Sequence, residues 1–126
     1  MKFDTIIIGG GLSGLISGIY LSQRGQRCVI ISSGQSALHF SSGSFDLLNN
    51  LPDGTSVQKP LDAISELVKQ APTHPYAKLG ETKFKELAQQ AEEFFKNAGI
   101  STQGNHEENH YRVTPMGTLK PTWLTL

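Results

Sequence analysis

At 126 residues the chain has room for one modest domain, and 37% apolar with 17% charged residues is an ordinary globular composition that excludes a disordered or fibrous chain. Eleven Lys plus Arg balance eleven Asp plus Glu without a long run of either sign, which argues against a nucleic-acid footprint and against a polybasic membrane patch. The lone cysteine, Cys28, lies among Val29, Ile30 and Ile31 and reads as a buried strand thiol in a reducing compartment.

Met1 and Lys2 ahead of an apolar run resemble the start of a secretory leader, but Asp4 and the glycines at 9, 10, 11, 14 and 18 interrupt it in a pattern no leader needs. No segment reaches the roughly 18–20 continuous apolar residues that span a bilayer. The expectation is a cytoplasmic chain with no transmembrane segment of its own.

Thr5, Ile6, Ile7 and Ile8 are continuously β-branched, the mark of a strand buried on both faces of a parallel sheet. From Leu12 the period changes: Leu12, Leu15, Ile16, Ile19 and Tyr20 fall on one helical stripe. Gly25 is expected to close that helix. Cys28 to Ile31 give a second short strand, so the first third reads strand, glycine turn, helix, strand. That is the βαβ unit of a doubly wound, Rossmann-like α/β fold, with the two strands parallel.

Residues 32–50 form a Ser/Gly-rich loop ending in a short apolar turn at 45–48, and "LPDG" at 51–54 is a turn. Leu61, Ile64, Leu67 and Val68 predict a short helix that Pro72 stops. A clearer helix carries Phe84, Leu87, Ala88, Ala91, Phe95 and Ala98 on one face, with Gly99 as its C-terminal cap. Residues 101–126 break into short extended pieces around Gly104 and Gly117 and read as a hairpin or small sheet, the start of a β-rich substrate or cap region. A doubly wound sheet of two parallel strands cannot cover both its faces. The expectation is therefore that the chain is a fragment of something longer.

The chemistry is carried by GxGxxG at Gly9, Gly11 and Gly14, placed between a predicted strand and a predicted helix. Gly9 permits the tight turn, Gly11 removes the side chain that would block a phosphate, and Gly14 lets helix and strand pack closely. Gly18 extends that bare face by one turn. Free N–H groups at the helix start then hold a phosphate without a lysine. An acid is expected about 20 residues on, to hold ribose hydroxyls; this sequence has Ser32 and Ser33 there, and no arginine for a 2′-phosphate. FAD, NAD and a mononucleotide such as FMN all remain open on these residues.

"HFSSGSFD" at 39–46 offers Ser42, Gly43 and neighbouring hydroxyls and amides to a phosphate or ribityl chain, though a solvated loop has the same composition. His39 is read as a loop histidine, and His74, His106 and His110 lack metal-ligand spacing. No metal site is expected, no GxSxG nucleophile motif is present, and no catalytic residue is identifiable.

The stretch at residues 3–48, then "APTHPY" and "RVTPMGTLKPTWL", together resemble the B-subunit family of the bacterial anaerobic glycerol-3-phosphate dehydrogenases. The likeness covers almost the whole chain, in a family about three times this length, which implies that residues 1–126 are the N-terminal part of a flavin- or dinucleotide-binding domain. It implies an FAD/NAD(P)-binding fold and a flavin, FMN with FAD as the alternative. It also implies a complex with a catalytic FAD subunit and a membrane-anchored iron–sulfur subunit, placed peripherally on the inner face of the bacterial inner membrane, which passes electrons from sn-glycerol 3-phosphate to the quinone pool for fumarate or nitrate respiration. Gly9, Gly11 and Gly14 carry over as the phosphate turn. Ser32 replaces the acid common in FAD-binding relatives, and covalent flavin attachment at His39 is not expected. The rival readings are a non-catalytic assembly subunit and an NAD-binding module.

Overall fold

In the computed structural model, which describes residues 1–126, the β-branched run forms β1 (Thr5–Ile8) and the second apolar run forms β2 (Cys28–Ile31). The two pair in parallel with Thr5 opposite Cys28 and Ile7 opposite Ile30. Between them, α1 (Leu12–Ser22) makes the crossover expected of a βαβ unit. Asp4 locks the base of the pair, accepting from the Arg27 backbone N–H at 2.9 Å and from its Nε and Nη2 at 3.2 and 3.3 Å.

The apolar stripe of α1 does not face the strands. Leu12, Leu15, Ile16, Ile19 and Tyr20 are all exposed, and the buried residue is Gly18. A Cβ on Gly18 would lie 3.2 Å from Ile30 Cδ1 and 3.4 Å from Ile7 Cδ1, so the helix approaches the sheet through its glycines and leaves its bulk outward. The helix also ends earlier than its glycine suggests, at Ser22, with Gly25 (φ 80°) in the turn beyond. On the sheet face away from α1, Ile6 and Ile8 keep 62% and 87% of their surface. The expected burial on both faces is thus not met within residues 1–42.

The chain divides into two units, Met1–Ser42 and Gly43–Leu126. The second is built on helices α2 (Ile64–Gln70), α3 (Pro75–Leu79) and α4 (Glu81–Asn97). Its main core joins Ile64 and Leu67 of α2 to Phe84 of α4, with Leu48, Leu51 and Val57 from the loops. Tyr76 of α3 packs against Phe84, with ring centroids 4.5 Å apart and the planes tilted at 51°. Burying a side chain such as Ile64, which has no exposed surface, contributes about 1.5–3 kcal/mol. The short α3 is absent from the sequence expectation: Pro75 occupies its first turn, where no N–H is needed, and His74 Nδ1 accepts the Tyr76 N–H at 3.1 Å.

Residues 45–48 are not a simple turn. Ser44–Phe45 form β3, antiparallel to β6 (Leu124–Thr125), and the fully buried Thr122 donates its hydroxyl to the Phe45 carbonyl at 2.9 Å. Between them in sequence, β4 (His110–Val113) and β5 (Leu119–Thr122) make the expected hairpin. Phe45 also meets Phe95 of α4 in a second cluster with Ala88, Trp123 and Leu124. Gly104 (φ 96°) is confined here, since a Cβ would strike the Trp123 carbonyl oxygen and the His110 ring. No helix is long and apolar enough to cross a membrane.

Candidate functional site

The three-glycine turn is defined by the bonds at its two ends. Gly9 donates its N–H to the Ile31 carbonyl at 2.8 Å, extending the β1–β2 ladder by one step. It then turns with φ 107°, a conformation that L side chains resist. At the other end, Leu15 N–H donates to Gly11 C=O at 3.0 Å, which starts α1.

The glycines differ sharply in what surrounds them. A Cβ on Gly14 would run into the Gly9 carbonyl oxygen and come within 3.3 Å of Ile7 Cγ2, so helix and strand are in contact at that point. A Cβ on Gly10 would meet Ser32 Oγ at 3.0 Å and Ser32 Cβ at 3.1 Å. A Cβ on Gly11 would have no atom within 4 Å. Gly11 is also the N-cap of α1, and no side chain caps the helix start. The turn therefore combines a fixed bend, a close helix–strand approach, and open space in front of uncapped backbone N–H groups.

Of the sequence candidates, Gly9, Gly11, Gly14 and Ser32 come together in this turn, and Ser33 follows as an exposed residue beyond β2. Ser42 closes the first unit as an exposed residue, and Gly43 begins the second. There Gly43 (φ 66°) accepts the Leu126 N–H at 2.8 Å and lies against the Leu126 side chain. Sequence reasoning does not single out Gly10. Its one signal is the redundancy of a glycine inside a motif that leaves that position free, and the structure shows Ser32 packed over it. No group of three or more His, Cys, Asp or Glu is placed to hold a metal ion.

The family model that matches, over residues 4–126, describes an FAD binding domain. The chain belongs to the FAD binding domain family. Proteins named as the B-subunit of anaerobic glycerol-3-phosphate dehydrogenase are similar to this domain along its whole length. The one from Yersinia pestis is 55% identical over 127 residues, covering 100% of this chain. Those from Pectobacterium atrosepticum and Haemophilus ducreyi are 51% and 50% identical over 125 residues, covering 99% of it. The chain spans about 30% of the length of these curated relatives. No solved structure matches it. Within the FAD binding domain family the β1–turn–α1–β2 unit is thus the Rossmann-like element that the residue pattern predicts.

At the far end of β1 from the turn, Asp4 ties the start of the strand pair to Arg27. The Arg27 guanidinium, reinforced by the Arg27 backbone N–H, holds the Asp4 carboxyl below the usual carboxylate range. A lowered carboxyl pKa stabilises the folded state above the unfolded value and stops doing so as the folded group protonates. The melting difference between the native chain and Asp4→Asn is therefore expected to be full near neutrality and to close as the pH falls through and below about 4. Parallel melts across that range check it; a difference that persists in acid would place the effect elsewhere.

Proposed function

We propose that this chain supplies the phosphate-holding turn of a flavin-dependent oxidoreductase, the B-subunit of an anaerobic glycerol-3-phosphate dehydrogenase. In that reaction sn-glycerol 3-phosphate loses two electrons and two protons to become dihydroxyacetone phosphate, and the electrons pass to the quinone pool. The observation that carries the reading is the open space at Gly11 ahead of an uncapped helix start, where backbone N–H groups and the positive end of the helix dipole favour an anion. When bound, a flavin supplies a two-electron acceptor. Gly9, Gly11 and Gly14 shape the phosphate seat; the Ser32 and Ser33 hydroxyls, and the Ser42–Gly43 segment, are assigned to the hydroxyl-bearing chain of the flavin. None of these residues is assigned as the catalytic base.

FMN is the favoured ligand. Ser32, leaning over Gly10, stands where an acid holding an adenosine ribose is expected, and a serine hydroxyl holds a ribose diol more weakly than a carboxylate does. FAD is the second reading, favoured by the description of the matching family. The partners that follow are a catalytic FAD subunit and a membrane-anchored iron–sulfur subunit, with the complex on the inner face of the bacterial inner membrane.

Gly11→Val tests the seat. The Cβ it adds has no atom of the chain within 4 Å, so circular dichroism is expected to stay unchanged while bound flavin falls by at least about tenfold. Mass spectrometry of the cofactor released from the full chain then distinguishes FMN from FAD. A chain that carries neither, and takes up neither, overturns the reading.

A further inference from the structure

The segment after α4 borders a groove that the flavin reading does not use. α4 closes with Gly99 N–H donating to Lys96 C=O at 3.0 Å and Ile100 N–H to Phe95 C=O at 2.9 Å, with Gly99 at φ 72°, the paired bonds of a glycine-terminated helix. The chain next passes beside β6, where Gln103 exchanges both backbone bonds with Thr125 at 2.8 and 2.9 Å. In an antiparallel pair the residue adjoining such an exchange directs its own N–H and C=O to the opposite side. Thr102 thus presents both groups away from β6, and neither has a partner in the chain. β3 already pairs with β6, so Thr102 is the open edge of this small sheet.

Thr102 also lines a cleft of about 630 Å³, together with Glu92, Glu93 and Lys96 of α4 and Ile100 and Ser101 among others. The lining carries two carboxylates and one ammonium, and the carbonyl-rich C-terminal end of α4 adds negative potential. Glu92 is held in place, accepting from Trp123 Nε1 at 3.3 Å and meeting His106 Nδ1 at 2.9 Å. An unpaired strand edge selects extended backbone, and this wall selects positive side chains.

We propose that the cleft receives an extended, cationic segment of a partner polypeptide, which adds to the free edge at Thr102 by main-chain hydrogen bonds and sets a Lys or Arg against Glu92 and Glu93. Main-chain pairing supplies the affinity, and alternate side chains supply the selectivity.

The probe is a blocked peptide of alternating Lys and Val, added to the full chain and followed by hydrogen exchange. Exchange of the Thr102 amide is expected to slow by at least about tenfold at saturation. A peptide with Glu in place of Lys leaves it unchanged, and N-methylation of the central peptide residues removes the protection. Glu93→Lys, at an exposed position, is expected to weaken the cationic peptide about tenfold. Equal protection by the acidic peptide, or undiminished protection by the N-methylated one, overturns the proposal. So does a Thr102 amide already protected before peptide is added, since the polypeptide's own remainder then fills the groove.

Discussion

Gly14→Ala is expected to abolish flavin uptake and to loosen the β1–α1 junction, with amide exchange at Ile7 and Ile30 accelerating together. The added methyl would strike the Gly9 carbonyl oxygen, and backbone cannot rotate out of the way as a side-chain tip can. Relief requires α1 to withdraw from β1, which disturbs the Gly9 bend and the helix start at once. Overpacking of this kind costs about 1–3 kcal/mol. Gly18→Ala is the control: the nearest atoms to its methyl are the Cδ1 tips of Ile30 and Ile7, at 3.2 and 3.4 Å, which yield by small rotamer shifts. A Gly14→Ala chain that retained flavin and native exchange at Ile7 would show that the helix–strand distance does not set the phosphate seat.

The contrast among these glycines also marks how far sequence reading reaches. Strand, turn, helix and parallel strand are legible because each is written in local spacing: four β-branched residues, three glycines at fixed intervals, then a change of period. The orientation of α1 is not. Its stripe of Leu12, Leu15, Ile16, Ile19 and Tyr20 reads as a core face, yet the strands are approached through Gly14 and Gly18, because the residues without side chains permit the closest contact. Periodicity identifies an apolar face; it does not identify the surface that face meets.

In the second unit, α2 and α4 and the cap at Gly99 follow from local pattern, whereas the pairing of β3 with β6 joins Phe45 to Leu124 across most of the unit. Nothing near Phe45 encodes that partner. The short α3 is obscured because Pro72 reads as a stop, whereas Pro75, three residues on, occupies a helix start, where proline is stabilising. At the candidate site, the absence of an acid at Ser32 is visible in the sequence. The packing of Ser32 over Gly10 is not, since it depends on the relative placement of the turn and the end of β2.

Asn109→Ala is expected to destabilise the second unit by about 2–4 kcal/mol, a loss that arises from two buried carbonyls rather than from apolar contact. Asn109 is 2% exposed, and its Nδ2 donates to Leu48 C=O at 2.9 Å and to Val57 C=O at 2.7 Å. Its backbone N–H donates to Gln58 C=O at 2.8 Å, and Gln58 Nε2 returns a bond to the Asn109 carbonyl at 2.9 Å. One side chain thus fastens two loop segments, around Leu48 and Val57, to the start of β4. Truncation leaves both acceptors without that donor, inside the unit that holds Leu48 and Val57 in its core. Asn109→Asp keeps the shape and reverses the chemistry: carboxylate oxygens face carbonyl oxygens, and a buried charge is added. Its folded-state pKa is therefore raised, so the damage is greatest at neutral and higher pH and eases as the group protonates and regains one donor. Urea unfolding followed by the emission of Trp123, the one tryptophan among residues 1–126 and a buried one, reads both variants. A loss that is equal for the two substitutions and independent of pH would mean that Asn109 contributes packing volume, not the two hydrogen bonds.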